Sequence, residues 1–234
     1  SGVGLLTDRG GTWTHFEVGR GRAPHVSIDA SGSYHVGYLL KVGSRTVLGV
    51  STGRPGVWER SRIPGSHQGR NGADAVFMVA PDGTDAVVWH RMLFDQRKNA
   101  GLRLARSGPG GWSVTRLNTD WYDNLWSAAM APDGTIGIIH GGFDDNALLE
   151  IRRGGRTSVD LPGVTYFGGD LAYGPDSSPW VIVLGGSFKR LMLLERTADG
   201  WRRTFVTDAP RDDFTFAVSG RGPTLILGRH EDDH

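Results

Sequence analysis

The 234-residue chain contains no cysteine, which removes disulfides, thiolate metal sites and a thiol nucleophile together. No apolar run approaches the roughly 20 residues of a membrane-spanning helix, so membrane insertion is not expected. The formal charge is only +1, without the basic excess of a dedicated nucleic-acid surface, and no nucleic-acid partner is expected. Glutamate is scarce, at Glu17, Glu59, Glu150, Glu195 and Glu231 alone. No segment sustains a helical period, and the close spacing of turns leaves no room for long helices. No leader peptide is recognisable and the sequence opens on Ser1, so it reads as a secreted mature protein or an excised soluble domain.

Glycine, by contrast, is abundant, with 36 residues and no collagen period, which implies many tight turns. The organising stretch is Ser127–His140, SAAMAPDGTIGIIH. An apolar run reaches Pro132-Asp133-Gly134, turns, and returns through Ile136, Ile138 and Ile139, as two strands around a tight turn do. Copies begin at His25, Val76, Asp170 and Thr215 and end at Tyr38, Trp89, Val183 and Gly228.

A second kind of hairpin lies between these copies. It is clearest at Asp8-Arg9-Gly10-Gly11-Thr12-Trp13 and weaker before Trp58, Trp112, Thr157 and Trp201. The Asp side chain is suited to accept backbone N–H groups of its own turn, and the Trp to cover the hairpin. A fully buried Trp13 ring would be worth about 3–5 kcal/mol. The D-x-G-x-T-W pattern resembles the Asp-box of sialidase-like β-propellers.

Alternation of the two hairpins gives a unit of four strands, the period of a propeller blade. The fold class expected is all-β, a five-bladed β-propeller forming a single domain over residues 1–234. The N-terminal pair of strands lacks an inner hairpin and the C-terminal pair lacks an outer one, so they are expected to share one blade. Leu5 and Leu6 would then pair with Leu225–Leu227 and close the ring, leaving no open sheet edge.

The resemblance also sorts the loops. Those leading into each innermost strand, such as 19–24, and those after each second strand, such as 41–45, would share the binding face. A rigid scaffold with such loops is where function concentrates. On that face His90, His140 and Asp170 are the candidate catalytic residues, with imidazole as general base. His25, Arg70, Asp74, Trp121, Tyr122, Arg211 and Asp213 are the candidate ligand-binding residues. A divalent metal is open at the histidines but is not the expectation, because they lack the close paired spacing of metal ligands. Five-bladed glycosidases of the arabinanase type are similar in architecture but use a glutamate, and here the glutamates fall on outer or third strands or in the tail. The sialidase arginine triad has no assignable counterpart.

Two function classes follow. One is an enzyme with a single axial site, acting on a glycan or other polar metabolite by acid–base or metal-assisted chemistry. The other is a non-catalytic module binding carbohydrate or anions, with arginines gripping carboxylates. The partner expected in either case is a small molecule or glycan, and the protein a monomer.

Overall fold

The computed structural model describes residues 2–9, 11–67, 75–91, 101–117, 124–141, 146–162, 169–185, 190–208 and 214–227. They belong to two compact units, Ser1–Trp121 and Tyr122–His234. Every element among the described residues is a strand, and every pairing is antiparallel.

In the first unit, β1 (Gly2–Arg9) and β2 (Thr12–Arg20) form a two-stranded sheet. Strands β3 (Arg22–Ile28), β4 (Tyr34–Val42), β5 (Arg45–Arg54) and β6 (Val57–Arg62) form a four-stranded sheet in chain order. A second is made by β7 (Ala75–Val79), β8 (Asp85–Arg91), β9 (Gly101–Arg106) and β10 (Ser113–Arg116). In the second unit, β11 (Asn124–Met130), β12 (Ile136–Gly141), β13 (Asn146–Arg152) and β14 (Gly155–Asp160) form one four-stranded sheet. Strands β15 (Gly169–Tyr173), β16 (Pro179–Gly185), β17 (Arg190–Thr197) and β18 (Gly200–Asp208) form another, and β19 (Phe214–Ser219) pairs with β20 (Gly222–Leu227).

Burial follows position in the sheet. Second and third strands are buried on both faces, as at Val87, Val88 and Trp89 of β8. Fourth strands such as β6 and β14 are polar and mostly exposed. In the first unit one core cluster joins Val3 and Val18 to Val36 and Tyr38, and another joins Leu48 and Val50 to Val87, Trp89 and Ala105. In the second unit Ile139 and Leu148 pack with Leu171, Val181 and Leu194, while Val218 and Leu225 pack onto Ile182 and Leu191.

The turns between first and second strands share one hydrogen-bond pattern. Ala80, Ala131, Gly174 and Asp29 each donate N–H to the carbonyl four residues on and accept from the N–H three residues on. Asp82, Asp133 and Asp176 accept the N–H of Thr84, Thr135 and Ser178 at 2.9, 2.9 and 3.1 Å. In the β3–β6 sheet Asp29 takes over, accepting from the N–H groups of Ser31 and Ser33. The turn needs a left-handed residue, supplied by Gly32, Gly83 and Gly134 and, unusually for a non-glycine, by Ser177 at φ 63°.

Three expectations are corrected. Segment 19–24 is not a loop: only Gly21 separates β2 from β3. Segment 41–45 shrinks to a two-residue turn, Gly43-Ser44, with Gly43 at φ 61°. Trp13 does not cover its hairpin, for its residue is 68% exposed. Asp8 does accept the Gly11 N–H, at 2.7 Å, as that turn requires. The described pairings give β1–β2 and β19–β20 as separate two-stranded sheets.

Candidate functional site

A concavity of the first unit lies where β2 passes into β3. Arg20-Gly21-Arg22 crosses between two sheets almost without a loop, and a single residue accounts for it. A Cβ on Gly21 would sit 2.7 Å from the Leu39 carbonyl oxygen and 2.7 Å from Tyr38 Cδ2. Glycine therefore lets the backbone lie flat on β4. Arg20 and Arg22, two apart on an extended chain, emerge on the same side. Immediately after them the pairing of β3 with β4 slips between Arg22 and His25, and Ala23 takes φ 48°. Bulges and left-handed non-glycine residues re-aim side chains, and they concentrate at functional sites.

Two recesses meet here. One, of about 690 Å³, is lined by Arg20, Gly21, Arg22, Leu39, Leu40, Lys41, Ser44 and Thr46. The other, of about 410 Å³, is lined by Glu17, Gly19, Arg20, Tyr38, Leu40, Arg60, Ser61 and Arg62. They share Arg20 and Leu40 and form one cleft. Strand register puts these residues at one end of the sheet but on its two faces: Arg22 pairs with Leu39, which pairs with Leu48, whereas Arg62 pairs with Gly49, which pairs with Tyr38. Arg60 Nε donates to the Val18 carbonyl at 2.7 Å, which ties β6 to β2 across the cleft. The cations Arg20, Arg22, Lys41, Arg60 and Arg62 stand exposed around the two recesses, with Glu17 the one acid among the lining residues. Among the described residues no ion pair engages Arg20, Arg22, Lys41 or Arg62. The arrangement suits an anion gripped by guanidinium forks.

The residues singled out from sequence fall as follows. His25 lies exposed on β3, its ring 5.9 Å from that of Phe77 and tilted by 34°. His90 is buried near the end of β8, and His140 is half-buried near the end of β12. Counted from the matching turns, Ile136–His140 corresponds to Asp85–Trp89, so His90 and His140 project from opposite faces of their respective sheets. Asp170 is the second residue of β15, where its Oδ1 accepts from the Ser127 hydroxyl at 2.7 Å and from the Leu171 N–H at 2.9 Å. His25, Ser127 and Asp170 occupy equivalent register positions, opposite Gly37, Ile139 and Ile182. Arg70, Asp74, Trp121, Tyr122, Arg211 and Asp213 lie outside the described residues. Among the described residues no cluster of three His, Asp or Glu side chains is arranged to hold a metal ion.

Sequence reasoning passed over Arg20, Arg22, Lys41, Arg60 and Arg62 as site residues. The G-R-G-R alternation at Gly19–Arg22 was the available signal. Arg60 and Arg62 gave none, because an outer strand of alternating arginine reads as a solvated face. A second cluster was also missed. Buried His35 sets Nδ1 2.6 Å from Asp85 Oδ1 and Nε2 3.3 Å from Asp29 Oδ2, joining the two four-stranded sheets of the first unit.

No known protein family matches the chain, and no curated protein does either. Solved structures do. The Hadza microbial sialidase Hz136 aligns with TM-score 0.55 and 15% identity over 84% of this chain and 49% of its own. The polysaccharide lyase Uly1 aligns with TM-score 0.52 and 12% identity over 85% and 51%. The β-propeller domain of the Trilobed protease from Pyrococcus furiosus, described as having an open velcro topology, aligns with TM-score 0.53 and 13% identity over 85% and 61%. This chain thus spans about half the length of the sialidase and the lyase. At such identities the likeness carries the fold alone: repeated four-stranded antiparallel sheets of the β-propeller kind.

Proposed function

We propose that the chain is a single five-bladed β-propeller domain, with β1–β2 and β19–β20 completing one blade, and that it binds an acidic carbohydrate without turning it over. The carrying observation is the pair of adjoining recesses in the first unit, where Arg20, Arg22, Lys41, Arg60 and Arg62 gather at one end of the β3–β6 sheet with Glu17 the one acid beside them. A sialidase and a polysaccharide lyase among the fold neighbours support a saccharide as the anion's carrier. The scarcity of glutamate supports binding over glycoside hydrolysis. Calorimetric titration with a uronate-bearing oligosaccharide tests the reading. Arg20→Ala combined with Arg22→Ala should weaken binding by about tenfold or more, the effect of losing charge-assisted hydrogen bonds. Affinity unchanged in the double variant would remove the cleft as the site.

One observation favours the enzyme reading as a second. His25, Ser127 and Asp170 hold equivalent positions on innermost strands, where a propeller places its axial pocket. In that reading His90, His140 and Asp170 act on the substrate, while His25, Arg70, Asp74, Trp121, Tyr122, Arg211 and Asp213 hold it. His140→Ala should then abolish turnover of an acidic oligosaccharide while the circular dichroism spectrum is kept. Turnover equal to the parent's would dismiss His140 as a base.

A further inference from the structure

Resting on the binding reading, we infer that the cleft takes a linear chain carrying at least two anionic groups, one in each recess, with Arg20 between them: an oligosaccharide with acidic groups on successive sugars. The two recesses have separate cationic residues. Arg22 and Lys41 belong to the larger, Arg60 and Arg62 to the smaller, and Arg20 lines both. Arg22 starts β3 and Arg62 ends β6, three strand spacings apart, which is roughly 14 Å. One sugar carboxylate cannot reach both ends, whereas a short oligosaccharide can. A single monoanionic sugar would occupy one recess and leave the other recess's cations unused.

The lining also discriminates among polyanions. Its one aromatic side chain is Tyr38, and that residue is buried under the cleft with 3% exposure. Nucleic-acid strands gain much of their affinity by stacking bases on exposed aromatic rings, and the cleft offers none.

Two linked contacts raise the local concentration of the second once the first is made. Calorimetry on the full chain with oligogalacturonate should therefore show affinity at least about tenfold above that for monomeric galacturonate, falling as salt rises. Arg22→Ala and Arg62→Ala, both exposed positions, should each bring the oligomer's affinity down toward the monomer's. Arg203→Ala, an exposed arginine on β18 of the second unit, should leave it unchanged. Equal affinity for monomer and oligomer would overturn the two-recess inference and leave the anion-binding reading standing. If folded protein binds neither, both fall. Tighter binding of single-stranded DNA than of oligogalacturonate would overturn the assignment to a glycan.

Discussion

The tryptophans that follow the second kind of hairpin look alike in sequence and differ in the structure. Trp112 packs on the cluster of Leu48, Val87 and Trp89, and its Nε1–H donates to Ser61 Oγ at 3.1 Å. Trp58 packs against Val3, Val18 and Tyr38, and Trp201 against Leu148 and Leu194 with Arg196 5.3 Å from its ring. Each wedges against its core, whereas Trp13 is mostly in solvent. Trp112→Ala should cost about 3 kcal/mol or more, through lost apolar contact and an abandoned hydroxyl partner. Trp13→Ala, measured in the same urea titration, should cost less than about 1 kcal/mol, as exposed substitutions do. Equal losses would mean that Trp13 is covered after all.

At the level of the element, the aspartate turns tie stability to pH. Asp29 is held down to about 2, first by the Ser31 hydroxyl and then by the Ser33 N–H, both of which favour the carboxylate. Asp82, Asp133 and Asp176 are lowered chiefly by the N–H groups of Thr84, Thr135 and Ser178. A folded-state pKa below the unfolded one stabilises above the unfolded value, and that stability is lost as pH falls through the folded value. The melting temperature should therefore drop between about pH 4 and pH 2. Asp29→Asn keeps an acceptor for the turn but cannot titrate, so its drop should be shallower. A drop of parental steepness would show that the Asp29 turn is formed without its carboxylate. Asp85 works in the opposite sense. Burial raises its pKa against the pull of His35, so its carboxylate form is disfavoured in the fold, and its contribution, full below the ordinary carboxylate value, declines as pH rises above that value. Because carboxylates only accept, both of the His35 contacts are hydrogen bonds only when the trio holds one proton more than a neutral imidazole with two carboxylates.

For the whole molecule the question is closure. Strands β1–β2 carry the turn of an outer hairpin, and β19–β20 form a two-stranded sheet of their own. Leu6 is 60% exposed on β1. If the proposed shared blade forms, deletion of residues 2–18 should abolish cooperative thermal unfolding, because it strips Val3 and Val18 from the first unit's core and leaves an open edge. A truncated protein that melts cooperatively near the parent temperature would favour an open arrangement instead.

The local pattern determined the strands and their order. Five inner hairpins were legible because a Pro-Asp-Gly turn and its degenerate copies fix the chain reversal through contacts within a few residues, and alternating apolar residues set the faces. The starts of the repeat at His25, Val76, Ser127 and Asp170 were legible for the same reason, and the structure pairs all four with equivalent partners. What pairs at long range was not. The slip that re-aims Arg22, the backbone contact that demands Gly21, the gathering of Arg60 and Arg62 beside Arg20, and the Asp29–His35–Asp85 link all depend on which sheet lies against which. An arginine on an outer strand has the same local signature whether it faces solvent or borders a cleft. Only packing of one sheet on the next separates the two, because charge density at a site is set by distances through space.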